Sequence, residues 1–229
     1  MNVCIIPARG GSIGIPKKNL LPMNGLPLLG WSIRQAKATP SIDMIVVSTD
    51  DNEIEEYCNS EDVVVIRRPK NISGNTASSE AALIHALEHL ASVHYVEPEV
   101  VIFLQATSPL RRETDIGDAL QKFKATGADS LFSVSIAEDL TLWNLLDGQW
   151  TSVNFDYRNR MRRQDAPTQY IENGSIYIVK TALLKKLVNR IGGRIETYIM
   201  NSWQVHEIDN MEDAELVEYL MEKHNVTKY

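Results

Sequence analysis

Cysteine is scarce in this chain, as are long apolar runs and positive charge in excess of negative. The two cysteines, Cys4 and Cys58, have no metal-ligand spacing, and the five histidines show none either. Cys4 sits in an apolar run, where a small core residue is expected rather than a nucleophile. No apolar run approaches the roughly 20 residues of a membrane span, and no basic stretch followed by an apolar one opens the chain. The expectation is a protein of the reducing cytoplasm with no membrane partner. A net charge of -7 over 229 residues argues against a nucleic-acid partner, because such binding needs a basic surface to neutralise phosphates. It does not exclude a small anionic ligand, since a few local cations can serve one pocket.

Three familiar signatures are also missing. The pattern G-x-x-x-x-G-K-[ST] is absent because Pro16 and Lys18 do not fill its last positions, and G-x-G-x-x-G fails because Ser12 stands where its second glycine belongs. This excludes a P-loop kinase and a standard dinucleotide binder. No Asp-x-Asp occurs anywhere, which counts against a glycosyltransferase of similar topology.

What is present is an alternation of short apolar runs with helix-like segments. Residues 3–7, 44–48, 63–66, 100–104 and 130–135 read as strands, mostly buried on both faces; 28–37, 52–60, 78–93 and 113–126 read as helices. Such alternation implies a largely parallel sheet covered on both sides, with ligands beyond the carboxyl ends of its strands. The pattern breaks after about Ile136. Residues 138–172 hold aromatics and Arg158, Arg160, Arg162 and Arg163 with little periodicity, so an excursion from the main sheet is expected there. A strand at 174–179, a helix at 181–188, a strand at 197–200 and a closing helix at 212–223 follow, the last with Asn210 and Asp213 as a capping pair. The chain reads as one domain, 1–229.

The strongest local signal follows the first strand: Pro7-Ala8-Arg9-Gly10-Gly11-Ser12-Ile13-Gly14-Ile15-Pro16-Lys17-Lys18-Asn19. Glycines let backbone approach a ligand and aim successive N–H groups at it. Arg9 and Lys18 bracket them with cations, as a triphosphate requires. Near the other end, Glu207-Ile208-Asp209 follows a predicted strand where the chain is still extended. Alternate residues then face one side, so both carboxylates can enter one pocket, and two carboxylates with phosphate oxygens suit Mg²⁺. The bland alternative is a pair of capping groups before a helix.

At this point the sequence resembles the acylneuraminate cytidylyltransferase family, the CMP-sialic acid synthetases and their relatives. The resemblance runs through ordered segments along nearly the whole chain: Ile5–Ser12, Ile15–Asn19, Val47-Ser48-Thr49-Asp50, Arg67-Arg68-Pro69, Thr76–Ser79, Leu104–Arg111 and Asn173–Ile178. It implies a Rossmann-like nucleotidyltransferase fold, three-layer α/β/α with a mostly parallel sheet, and a homodimer in which the excursion reaches the partner. It implies a reaction in which the anomeric hydroxyl of a 2-keto-3-deoxy sugar acid attacks the α-phosphorus of CTP, with Mg²⁺ as cofactor. Ala8, Arg9, Gly10, Gly11, Ser12, Lys18 and Asn19 would then bind the nucleotide, with Arg9, Lys18 and the glycine backbone on its phosphates and Asn19 close by. Arg68 and Ser79, along with backbone from this loop, would help read the cytidine. Gln105, Arg163, Asn173 and Tyr177 would face the sugar acid, with Arg163 on its carboxylate. Glu207 and Asp209 would hold the metal, and Asp209, with Arg9 and Lys18, would be catalytic. The segment Arg162-Arg163-Gln164-Asp165-Ala166-Pro167 is closer to relatives that activate legionaminic acid.

The sequence departs from the family pattern in three places. Ile13 stands where relatives carry a lysine, and losing one phosphate contact costs on the order of 1–3 kcal/mol, roughly a factor of 5 to 150. Glu207 replaces an aspartate, moving that carboxylate outward by one methylene. Residues 190–194 lack the aromatic pair that some relatives use. The alternatives are another sugar nucleotidylyltransferase, or a nucleotide- or sugar-binding homologue without turnover.

Overall fold

The computed structural model describes residues 1–12, 14–137 and 141–226, with the Arg163 side chain left aside. The elements run β1 (Asn2–Pro7), β2 (Pro22–Met23), β3 (Leu26–Pro27), α1 (Leu28–Lys37), β4 (Met44–Thr49), α2 (Asn52–Ser60), β5 (Val64–Arg67), α3 (Ser79–Val93), β6 (Val100–Leu104), α4 (Asp115–Thr126) and β7 (Ser130–Ile136). Then come β8 (Trp143–Leu146), β9 (Gln149–Ser152), β10 (Tyr170–Lys180), α5 (Thr181–Leu187), β11 (Ile195–Met200) and α6 (Met211–Lys223). Seven strands form one sheet in the order β11-β7-β10-β6-β1-β4-β5. β10 pairs antiparallel with both β6 and β7, while the other pairings are parallel.

Alternation along the central strands explains the three layers. Val3 and Ile5 of β1, Val101 and Phe103 of β6, and Tyr177 and Val179 of β10 pack with α3 and α5 on one face. Cys4 and Ile6, Ile102 and Leu104, and Ile176 and Ile178 pack with α1, α2 and α4 on the other. Strands buried on both faces lose the polar side of their pattern, which is why they read as continuous apolar runs. Burial pushes the Cys4 thiol up to about 12, so it is an inert core group. The closing helix α6 packs on the β2–β3 hairpin and α1 through Val217, Met221, Met23, Leu28 and Trp31. Asn210 caps it, accepting from Asp213 N while the Asp213 carboxylate accepts from Asn210 N. This is the capping pair that the sequence indicates.

The expected excursion is shorter and more ordered than its composition suggests. Its first residues, 138–140, lie outside those described, and β8 and β9 pair as a hairpin. Asp147 and Gly148 turn the chain with φ of 50° and 76°, the double positive φ of a two-residue hairpin turn. By Tyr170 the chain is back in the main sheet, opposite Ile136 of β7. The strand expected at 174–179 therefore begins four residues earlier.

Arg111 locks the centre. Its fully buried guanidinium donates to Ser32 Oγ at 3.1 Å, Gln35 Oε1 at 2.9 Å, Gln105 O at 2.7 Å and Ser175 O at 2.7 Å. These bonds tie α1, the end of β6 and the β10 bulge together. Arg111→Met should lower stability by about 3 kcal/mol, because buried acceptors lose charged donors. Urea unfolding measures this, and an unchanged midpoint would contradict the role.

Candidate functional site

At the carboxyl ends of β1, β5 and β6 lies a cavity of about 300 Å³. The β1 loop supplies Pro7, Arg9, Gly11 and Ser12; Lys18 and Asn19 follow it. Arg68 stands after β5, Ser78 and Ser79 at the start of α3, and Phe103, Gln105 and Thr107 at the end of β6. Arg9, Lys18 and Arg68 thus meet in one cavity whose lining includes no aspartate or glutamate. This geometry suits a polyanion. The role expected of Ile13 lies outside the described residues.

The loop continues the two-residue alternation of β1. Pro7, Arg9 and Gly11 face the cavity, whereas Ala8 is fully buried behind it, its N–H donating to Ser48 O at 2.9 Å. Gly10 also stands behind, and its N–H donates to Asp50 Oδ1 at 3.0 Å. Of the loop donors expected at the nucleotide, those of Ala8 and Gly10 are therefore engaged by Ser48 of β4 and by Asp50 just beyond it. Asn19 acts within the loop, its amide donating to Arg9 O at 2.9 Å. Arg9 reaches across the cavity mouth to Gly74 O at 2.9 Å. Burial holds the Arg68 guanidinium below its usual range, opposed by the charge of Asp50.

Lys18 joins the cavity to the acidic segment. Its ammonium donates to Ile208 O at 2.8 Å and to Asp209 Oδ1 at 3.0 Å. Ile208 is buried, with its N–H on Thr107 O at 2.9 Å, which pins the segment between its two carboxylates. The Asp209 side chain is 77% exposed, whereas Glu207 is half-buried. Burial, and then the Asp209 charge, raise the Glu207 carboxyl above its usual range, opposed by Lys18. Glu207 and Asp209 are hard oxygen donors of the kind a divalent cation such as Mg²⁺ takes, and Lys18 already engages Asp209.

The residues expected against the sugar acid separate. Gln105 lines the cavity and its amide lies 3.5 Å from Glu207 Oε2, the outer limit of a hydrogen bond. Asn173 and Tyr177 are buried, and their polar groups are bonded inside the protein. Ser133 Oγ donates to Asn173 Oδ1 at 2.6 Å, and Asn173 Nδ2 donates to Ser135 Oγ at 3.1 Å. The Tyr177 ring stacks on Phe103 at 5.2 Å, its hydroxyl donates to Glu172, and Arg190 lies 4.4 Å above it. In this chain Tyr177 backs the cavity wall through Phe103, while Asn173 is bonded to β7. Arg163 begins a 3₁₀ turn, Arg163–Asp165, and the role expected of its side chain lies outside the described residues. Arg111, Thr107 and Asp50 carry positions that sequence reasoning did not assign. All three stand in segments already singled out, but nothing in a sequence marks an arginine as buried.

A family description, "Cytidylyltransferase", matches residues 3–224. The chain belongs to the cytidylyltransferase family. It is 32% identical over 224 residues to pseudaminic acid cytidylyltransferase of Campylobacter jejuni, covering 96% of this chain and 95% of the relative. N-acylneuraminate cytidylyltransferase of Oncorhynchus mykiss is 33% identical over 199 residues, 86% of this chain. The chain spans 44% of that relative's length. A solved structure of CMP:2-keto-3-deoxy-manno-octonic acid synthetase complexed with CTP superposes with a TM-score of 0.73 at 19% identity, covering 97% of this chain and 99% of the other. That likeness shows the nucleotidyltransferase fold.

Gly174 gives the acidic segment its place. Its φ is +66°, and a Cβ there would lie 1.7 Å from Glu207 Oε1. Gly174→Ala should therefore destabilise by about 1–3 kcal/mol and displace the Glu207 carboxylate. Unfolding and a crystal structure of the variant check both, and an unmoved Glu207 would refute the packing argument.

Proposed function

We propose that this chain transfers the cytidylyl group of CTP to the anomeric hydroxyl of a sialic-acid-type 2-keto-3-deoxy sugar acid, releasing pyrophosphate. The observation that carries the reading is the cavity where Arg9, Lys18 and Arg68 converge without an acidic neighbour in the lining, in a chain of the cytidylyltransferase family. Relatives named for N-acylneuraminate and pseudaminic acid support the substrate class.

In this reading Arg9, Lys18 and the Gly11–Ser12 backbone bind the triphosphate, and Arg68 lies toward the nucleoside. The sugar hydroxyl attacks the α-phosphorus, the bond to the bridging oxygen breaks, and pyrophosphate leaves. Preorganised cations stabilise charge that develops on the phosphoryl oxygens without having to reorganise. Asp209, beside Lys18, accepts the hydroxyl proton. Glu207 and Asp209 would hold Mg²⁺, which when bound supplies charge stabilisation at the phosphates. Arg163 is proposed as the cation for the sugar carboxylate. Two free, buried thiols, Cys4 and Cys58, fit the reducing cytoplasm, and no described helix is long and apolar enough to cross a membrane.

We further propose a homodimer. The β8–β9 hairpin exposes Leu145 and Trp150 at 54% and 64%, cross-strand partners on one face, an apolar patch that a second copy would cover. Light scattering should give twice the 25.8 kDa chain mass, and Trp150→Glu should shift it toward the monomer. A monomeric wild type would remove the dimer.

The reaction is tested by pyrophosphate release with CTP, Mg²⁺ and N-acetylneuraminic, legionaminic or pseudaminic acid, with the other nucleoside triphosphates as controls. Release with CTP and one of these acids is expected, and Asp209→Ala should lower kcat at least about 100-fold with the fold intact. CTP binding without release for any acid would favour a homologue without turnover; release with a sugar 1-phosphate would favour the other nucleotidylyltransferase.

A further inference from the structure

The loop after β1 rests on the end of β4, and the same few residues of β4 hold Arg68. Asp50 Oδ1 accepts the Gly10 N–H at 3.0 Å. The backbone lies so close to the β4–α2 corner that a Cβ on Gly10 would sit 2.4 Å from Asp51 Oδ2. Asp51 is fixed in turn, because its Oδ1 caps α2 by accepting from Glu53 N at 2.8 Å and Ile54 N at 3.1 Å. On the other side, Arg68 N donates to Thr49 O at 2.7 Å and Arg68 Nη2 to Ser48 O at 3.0 Å. Asp50 thus stands behind the cavity, bonded to the loop and exerting its charge on the Arg68 guanidinium.

A carboxylate so close to a triphosphate site repels the ligand unless its charge is already engaged. Here it accepts from a backbone donor, the Gly10 N–H, and its charge acts on the buried Arg68 guanidinium, without its entering the cavity lining.

We propose that Asp50 is a positioning residue for the nucleotide: by holding the Gly10 N–H it fixes the loop so that Gly11 and Ser12 face the triphosphate. This rests on the CTP reading above. The loop is then preformed, and no ordering cost falls on the ligand.

The test compares Asp50→Ala with Asp50→Asn. Alanine removes the acceptor, whereas asparagine keeps an amide oxygen for Gly10 and removes only the charge. Losing a hydrogen bond to a charged group should raise the KM for CTP about tenfold in Asp50→Ala. The kcat and the KM for the sugar acid should stay within about twofold, and Asp50→Asn should recover most of the CTP effect. A fall in melting temperature with the CTP KM unchanged would make Asp50 merely structural and overturn the proposal. A lower CTP KM in Asp50→Ala would also overturn it, by showing that the carboxylate competes with the triphosphate. Should Asp50→Ala not fold, Asp50→Asn decides: a CTP KM within about threefold of wild type upholds the acceptor role, and a tenfold rise refutes it. Calorimetric titration of CTP without sugar acid reads the same comparison independently of turnover. If wild type binds CTP but releases no pyrophosphate, the reaction fails while the positioning role is still decided by the calorimetry. If wild type does not bind CTP, both fall.

Discussion

β1 lies parallel between β4 and β6, and everything in the cavity depends on that pairing. Three adjacent strands running the same way deliver their carboxyl ends to one edge, where the Arg9 loop, the Asp50–Asp51 corner and the Gln105–Thr107 segment meet. Both faces of these strands are buried, so a one-residue slip in register would turn each core side chain to the wrong layer. The packing that excludes such slips also fixes the distances among the charged groups.

Charge is then distributed in two shells. Arg9, Lys18 and Arg68 face the cavity, while the acids that balance them stand outside its lining. Asp209 meets Lys18 from the solvent side, Glu207 sits in the notch left by Gly174, and Asp50 supports the loop from beneath. Keeping the counter-charges out of the lining leaves the interior of the site positive. Arg111, buried behind the end of β6, holds the Gln105 carbonyl at 2.7 Å and links this arrangement to the core.

Much of this was legible in the sequence, because the central strands and their helices carry continuous apolar runs and clear periods. The glycine loop with Arg9 and Lys18 was legible from its chemistry, and Asn210 with Asp213 from capping logic. Other features were not. The β8–β9 hairpin is short and exposed, so no hydrophobic alternation announces it, although Asp147-Gly148 is a recognisable turn. The antiparallel course of β10 follows from tertiary pairing and leaves no local trace. Asn173 and Tyr177 read as polar groups available to a ligand; the bulge in β10 between Glu172 and Tyr177 turns Asn173 onto Ser133 and Ser135, and Tyr177 onto Phe103. Gly10 stands behind the loop because its N–H is bonded to Asp50, which a list of glycines does not reveal.

The central claim is that the cavity bounded by Arg9, Lys18 and Arg68 is where the nucleotide triphosphate sits. A crystal structure of the chain with CTP tests it most directly. The account predicts phosphate oxygens within hydrogen-bonding distance of Arg9, Lys18 and the Gly11–Ser12 backbone, with Gly10 still bonded to Asp50. CTP seated elsewhere, such as the separate cavity of about 520 Å³ bounded by Phe155, Arg160 and Pro167, would contradict it.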